Sequence, residues 1–222
     1  DIFRLPKFSL SFFRTQIAEG SMLPSGKMPY EVFIPAYRDE ILSDTVMVYG
    51  NVDEVELVLN GKTIRRQTAD KGPDSDYIRV PNGGNGKNHF PPFTFYGVPK
   101  ERGVLKAVGY HQGKKVAEYT VKTPGVPERL DITYFESGKP ATKNDLLIVY
   151  VRMLDKQGVL CPVNGIPVEL SVQGGEIVGP TSYPLEAGVA SFLVRTGEIS
   201  KININATGKG FSTRKSLKVG KE

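Results

Sequence analysis

An Asn-Gly pair at Asn60 and Gly61, set between two alternating segments, constrains this chain more than any other feature. Val55, Leu57 and Leu59 alternate with Glu54, Glu56 and Val58, the period of a strand with one buried face. Both central residues of a type I′ turn need positive φ, and Asn-Gly is the pair that accepts it most readily. Residues 49–66 therefore read as a β-hairpin. A two-residue loop sets Leu57 opposite Ile64 on the core side and Glu56 opposite Arg65 on the wet side. The hairpin arms, 53–59 and 62–67, join strand candidates at 31–36, 44–49, 93–98, 103–110 and 114–122 in a sandwich that has the hairpin at its centre.

The chain's 222 residues allow two ordinary domains. Its 24 Gly and 16 Pro, spread between short apolar runs, suit an all-β protein with many turns. Prolines at 124 and 127 interrupt any ladder across Thr123-Pro-Gly-Val-Pro127, which marks the domain boundary. Beyond it, strand candidates at 129–135, 146–154, 167–172, 189–195, 201–206 and 211–218 have the spacing of a second sandwich. Asp155 to Gly158 reads as a turn. The expected fold class is all-β, two tandem immunoglobulin-like β-sandwich domains preceded by one short helix, with boundaries at 1–18, 19–125 and 126–222.

The helical pattern lies at residues 1–17. Pro6 suits a first turn, and Phe8 and Phe12, with Leu10, Phe13 and Ile17, follow the spacing of a buried face. So many phenylalanines require a partner surface, either on the first sandwich near Phe93 and Phe95 or on a second molecule. Gly20 to Gly26 reads as a linker.

Charge and composition exclude several functions. Up to Gly125 there are 17 basic and 14 acidic residues, and after it 12 and 10, so neither half is a basic arm of the kind that binds nucleic acid. No run approaches the ~18 apolar residues of a membrane span, and the chain starts at Asp1 without a signal-like segment, as a piece of a longer protein would. Cys161 is alone and reads as a small apolar residue. Asp70, Asp74 and Asp76 open the long interval 70–92 but lack the alternate ligands and glycine of a calcium loop. His89 has no second His or Cys beside it to share a metal, so neither a metal nor a cofactor is expected. The basic tail, Lys209, Arg214, Lys215, Lys218 and Lys221, reads as a charged edge that discourages strand addition.

Several ordered motifs carry a resemblance. Residues 1–9 with Phe12-Phe13-Arg14-Thr15-Gln16 resemble the last helix of the catalytic (β/α)8 barrel in glycoside hydrolase family 2. The stretches 48–62, 89–95 and 103–110 resemble the sandwich domain that follows that barrel in β-galactosidase-like members, and the match runs to Gly125. Residues 126–222 resemble the further immunoglobulin-like domain of such enzymes, and also modules of bacterial adhesins. Where many relatives carry a Trp-rich stretch after the first strand, this chain has Ile34-Pro-Ala-Tyr-Arg-Asp-Glu40 and no Trp. The resemblance implies a parent that cleaves β-galactosides or related β-glycosides by the retaining route, with one carboxyl as nucleophile and another as acid and base. The family's acid/base belongs to an Asn-Glu pair on the barrel, and no such dipeptide occurs here. No catalytic residue is therefore carried over.

The resulting expectation is a non-catalytic region that supports the catalytic barrel of its own parent chain, which would act in the periplasm or outside a bacterial cell. The alternatives are a carbohydrate-binding module, with Tyr30, Tyr37, Tyr77, Tyr96 and Tyr110 as platforms for an oligosaccharide, or an adhesin-like spacer. Self-association through Phe8 and Phe12 is the further partner expected.

Overall fold

The computed structural model describes residues 7–36, 43–71, 90–135 and 141–220. They fall into two compact units that divide between Thr123 and Pro124, so Pro124 and Gly125 group with the second unit. Strands dominate both, as the turn-rich sequence demands.

The first unit opens with α1 (Phe8–Thr15), shorter than the span from Pro6 to Ile17 that the periodicity suggested. Lys7 is its N-cap and makes no side-chain cap bond, while Thr15 Oγ1 turns back to the Phe12 carbonyl at 2.8 Å. The expected linker contains a small hairpin instead, β1 (Met22–Leu23) with β2 (Gly26–Lys27). Its ladder continues through Gly20 N–H to the Met28 carbonyl and Met28 N–H to the Ser21 carbonyl, which places the Met28 side chain in the interior.

Three strands, β3 (Val32–Phe33), β4 (Val46–Gly50) and β7 (Phe93–Phe95), form one sheet of the sandwich. The other has the order β6-β5-β8-β9, from β5 (Glu54–Leu59), β6 (Lys62–Thr68), β8 (Val104–His111) and β9 (Lys114–Lys122). Val55, Leu57 and Leu59 on β5 meet Val46, Val48, Phe93 and Phe95 in the core between the sheets. Val32 also enters this core over two glycines. A Cβ at Gly109 would lie 2.7 Å from its Cγ1 and one at Gly50 2.9 Å away, so neither position has room for a side chain.

The Asn60-Gly61 turn has positive φ at both residues, 51° and 80°. Its register differs from the simple two-residue hairpin. Val58 stands opposite Thr63 but Leu57 stands opposite Arg65, leaving Ile64 as the extra residue of a β-bulge. Glu56 consequently faces Arg66 rather than Arg65. The hairpin is central through β5 only, since β6 is an edge.

The second unit has two four-stranded sheets, β10-β11-β15-β13 and β14-β12-β16-β17. These use β10 (Arg129–Tyr134), β11 (Leu146–Leu154), β12 (Pro167–Gln173), β13 (Gly175–Ile177), β14 (Ser182–Pro184), β15 (Val189–Thr196), β16 (Lys201–Gly208) and β17 (Phe211–Lys218). Alternation reveals all of them except β13 and β14, whose three residues are too few to show a period. The core between the sheets gathers Ile132, Val149, Met153, Val168, Phe192, Val194, Ile202 and Ile204. Cys161 is buried beside it, and burial pushes its thiol pKa up.

Asp155 is buried at the mouth of a turn and organises it. Its carboxylate accepts from the backbone N–H groups of Gln157 and Val159 at 2.8 Å and of Gly125 at 2.7 Å. Burial by itself would raise its pKa, but these backbone donors favour the charged form and hold it below the ordinary carboxylate value. A lowered folded-state pKa stabilises the protein above the unfolded value of about 3.9 and loses that contribution as pH falls through the folded value. Asp155→Asn should therefore destabilise the second unit at pH 7 by about 1 to 3 kcal/mol, with the gap to wild type closing as the pH drops below about 4. Urea unfolding followed from pH 7 to pH 3 checks this.

Candidate functional site

Helix α1 lies on the outer face of the β3-β4-β7 sheet, and this seat is the most elaborate arrangement in the first unit. Strand alternation creates it. Val32, Val46 and Val48 point to the core, so Phe33, Met47 and Tyr49 point outward. Phe8 packs edge-on against Phe33 with ring centroids 5.5 Å apart, and Phe12 against Tyr49 at 4.9 Å. Phe33 in turn meets Tyr119 of β9 at 5.2 Å. Burial under these rings raises the Tyr49 phenol pKa. The helix thus rests on Phe33 and Tyr49 rather than near Phe93 and Phe95, which are both inside the sandwich.

Polar ties fix the helix at its C-terminal end. Arg14 bonds the Glu31 carboxylate through both Nε, 3.0 Å from each oxygen, and Nη2. Gln16 exchanges two hydrogen bonds with the backbone of Phe90, both 3.1 Å long. Beneath them sits Asn51, a buried amide whose partners are all backbone atoms. Its Nδ2 donates to the carbonyls of Ile17 and Pro29 at 3.0 Å, and its Oδ1 accepts from Glu31 N–H at 2.6 Å. One side chain thereby joins the helix exit, the segment leading into β3 and the end of β4. Sequence reasoning missed it, because an Asn after a glycine looks like an ordinary turn residue.

Two helix residues expected on the buried face point the other way. Leu10 is 53% exposed and Phe13 64%, because at about 100° per residue they project from the opposite side of the helix to Phe8 and Phe12. With Met47 on the sheet, they leave apolar surface in water around α1.

The tyrosines proposed as sugar platforms have different settings. Tyr30 stacks on His111 at 5.0 Å and packs against the core, and burial together with the charges of Glu19 and Asp53 raises its phenol pKa. Tyr110 donates to Glu56 at 2.7 Å and lies under the Arg66 guanidinium, 3.7 Å from the ring centre. That hydrogen bond is the main reason its pKa is raised, and the bonds from Thr63 and Tyr110 hold Glu56 low. Tyr96 is 66% exposed with no aromatic neighbour among the described residues. Tyr37 and Tyr77 lie outside the described residues, as do His89, Asp74 and Asp76. Asp70 is described, and its carboxylate accepts from Thr94 N–H at 3.0 Å and from Thr94 Oγ1 at 2.5 Å, which ties the segment after β6 to β7. Among the described residues no cluster of His, Cys, Asp or Glu could hold a metal ion, and no helix is long and apolar enough to cross a membrane.

Comparison with known proteins extends this picture. Residues 43–117 match the family model described as "Domain of unknown function (DUF4982)". A β-galactosidase of Thermoanaerobacter pseudethanolicus is 30% identical over 208 residues, which is 88% of this chain and 26% of that protein. A β-galactosidase of Rhizobium radiobacter is 30% identical over 129 residues, 57% of this chain and 92% of the relative. A β-glucuronidase structure from glycoside hydrolase family 2 superposes with a TM-score of 0.76 at 21% identity, covering 98% of this chain and 22% of that one. The chain thus spans about a quarter of the length of the first of these relatives.

Replacing Asn51 by Ala would leave Glu31 N–H and the Ile17 and Pro29 carbonyls without their partner, at a cost on the order of 3 kcal/mol. Asn51→Asp should be nearly as damaging, since a carboxylate accepts from Glu31 but donates to neither carbonyl. Chemical denaturation of the first unit is the measurement, and loss of α1 before the sheets is the expected order.

Proposed function

We propose, for a chain that belongs to the β-galactosidase-like enzymes of glycoside hydrolase family 2, that it is the non-catalytic β-sandwich region supporting the catalytic barrel of its parent. The parent is a retaining β-glycosidase, most closely a β-galactosidase. The observation that carries this reading is α1, which resembles the last helix of such a barrel. It is fastened to the first sandwich by Arg14, Gln16 and the edge-on rings of Phe8 and Phe12, while Leu10 and Phe13 face outward. A helix held firmly on one side and apolar on the other is suited to join two bodies, and the barrel is the occupant proposed for its outer side. Self-association through Phe8 and Phe12 would require both rings to leave Phe33 and Tyr49, so the barrel reading is preferred.

The chemistry fits a supporting role. The best-placed carboxylates are already engaged: Glu54 with Arg66, Glu56 with Thr63 and Tyr110, Glu118 with Lys106 and Lys115, and Asp155 with backbone N–H groups. A retaining glycosidase needs two carboxyl groups about 5 to 5.5 Å apart, facing a sugar with one of them free to give up a proton. Each unit has its own apolar core, which supports independent folding of the regions near 19–125 and 126–222. The parent is proposed to act in the periplasm or outside a bacterial cell.

Purified 222-residue chain should show no turnover of nitrophenyl β-galactoside or β-glucuronide; turnover abolished by changing a carboxylate of this chain would overturn the reading. Within the complete parent enzyme, Leu10→Ser with Phe13→Ser should remove burial worth about 1.5 to 3 kcal/mol per side chain and lower its melting temperature by several degrees. The same pair in the isolated chain should leave the melting temperature unchanged.

A further inference from the structure

The outer face of the sheet β14-β12-β16-β17 in the second unit differs from the other strand faces in how its charges are balanced. On the neighbouring sheet of the same unit, Arg152 is paired with Asp131 and Arg195 with Glu176, and Arg129 is the one outward cation without an ion pair among the described residues. On the β6-β5-β8-β9 face of the first unit, Arg66 is paired with Glu54, and Lys106 and Lys115 with Glu118, while Lys122 at the end of β9 has no ion pair among the described residues. On the β14-β12-β16-β17 face, Lys201, Arg214 and Lys218 all point outward, exposed, and among the described residues none of them has an ion pair. Glu169 is the outward carboxylate of β12, and it stands opposite Thr207, at the far end of β16 from Lys201.

The uncharged residues of this face form rows. Strand register sets Asn205 between Ser171 and Arg214, and Asn203 between Gln173 and Ser216, with Lys201 opposite Lys218 in the next row. Ile202, Ile204 and Ala206, the alternate residues of β16, are fully buried, which fixes the amides on the outside. Neighbours within a row are about 4.8 Å apart and successive rows about 6.8 Å, so Arg214 and Lys218 are about 14 Å apart along β17. Protection of an edge strand accounts for cations on β17, which is an edge. It does not account for Lys201 or for two outward asparagines on β16, an interior strand where Asn is a disfavoured residue.

We propose that this face binds a carboxylate-bearing polysaccharide, a polyuronate chain lying along β16 and β17. The Arg214 fork is shaped to take one carboxylate through two parallel hydrogen bonds. Lys201 and Lys218 meet a second carboxylate farther along the chain; Ser216 Oγ already donates to Asn203 Oδ1 at 2.7 Å, which leaves Asn203 Nδ2 to donate to a sugar hydroxyl and Ser216 Oγ to accept from one, while Asn205 can do both. The face has no outward aromatic residue among the rows described, so it offers nothing on which a nucleic-acid base would stack. This site is independent of the barrel-supporting role of α1.

The test is affinity electrophoresis of the full 222-residue chain through gels containing polygalacturonate, a neutral galactan, a sulfated galactan or single-stranded DNA, at 150 mM salt. Polygalacturonate should retard the chain and the other three should not. Arg214→Gln should weaken retardation roughly tenfold, as expected for loss of one bidentate charge-assisted pair. Arg214→Lys, which keeps the charge but not the fork, should recover only part of it. Asn203→Thr with Asn205→Thr should weaken binding while the melting temperature holds or rises, because Thr is favoured in strands. No retardation by polygalacturonate, equal retardation by DNA or the sulfated polymer, or full retardation of an Arg214→Gln protein with wild-type melting would each overturn the proposal. None of these results bears on turnover of nitrophenyl glycosides, so the barrel-supporting role stands or falls separately.

Discussion

The hydrogen bonds of the Asn51 amide are the constraint on which the first unit depends. Two carbonyls and one N–H from two separate segments, the helix exit at Ile17 and residues 29–31, converge on the buried Asn51 side chain under α1, and each bond lost there costs about 0.5 to 1.5 kcal/mol. An amide is the one small side chain that donates twice and accepts as well, so a single residue meets all three needs. With that point secured, the Arg14–Glu31 pair and the Phe8 and Phe12 rings need only hold a helix whose exit is already fixed. Asp155 has the same place in the second unit, with one difference. All its partners are donors, so the side chain required is an acceptor and carries a charge.

Outward faces record where the fold needs nothing further and where something is left over. Around Glu56 the first unit closes its own polar network with Thr63, Tyr110 and Arg66, the last brought opposite by the bulge at Ile64. Leu10 and Phe13 on α1, and Lys201 and Arg214 on the second unit, remain without comparable partners among the described residues. An apolar remainder suits a protein surface, and a cationic remainder bordered by amides suits an anionic, hydroxyl-rich ligand. The two proposals rest on this difference in chemistry.

Much of the architecture was legible because period-2 burial leaves a direct mark. Strands such as β5, β11, β16 and β17 fall within a residue or two of their alternating segments, since each has one face that water must not reach. Short elements left no such mark. The Met22–Lys27 hairpin and strands β13 and β14 are two or three residues per arm, and what secures them is backbone pairing to neighbours that are distant in sequence or that the local pattern does not specify. The hairpin register slipped for a related reason. Asn60-Gly61 determines the turn, but nothing in residues 62–68 signals that Ile64 is an extra residue rather than a partner of Leu57.

The sequence by itself determined the β-class, the position of the Asn-Gly turn and the kinship with glycoside hydrolase family 2. Each of these depends on local φ preference, on the two-residue alternation of burial or on ordered motifs. Tertiary structure alone decided which helix residues were buried, which of two adjacent arginines faced Glu56, and that Asn51 and Asp155 were the internal ties. Those outcomes depend on what lies across a gap of tens of residues: Phe33 and Tyr49 beneath Phe8 and Phe12, Ile17 and Pro29 beside Asn51, Gly125 beside Asp155. A side chain's local pattern indicates that it seeks a partner, but only the folded chain supplies the atom.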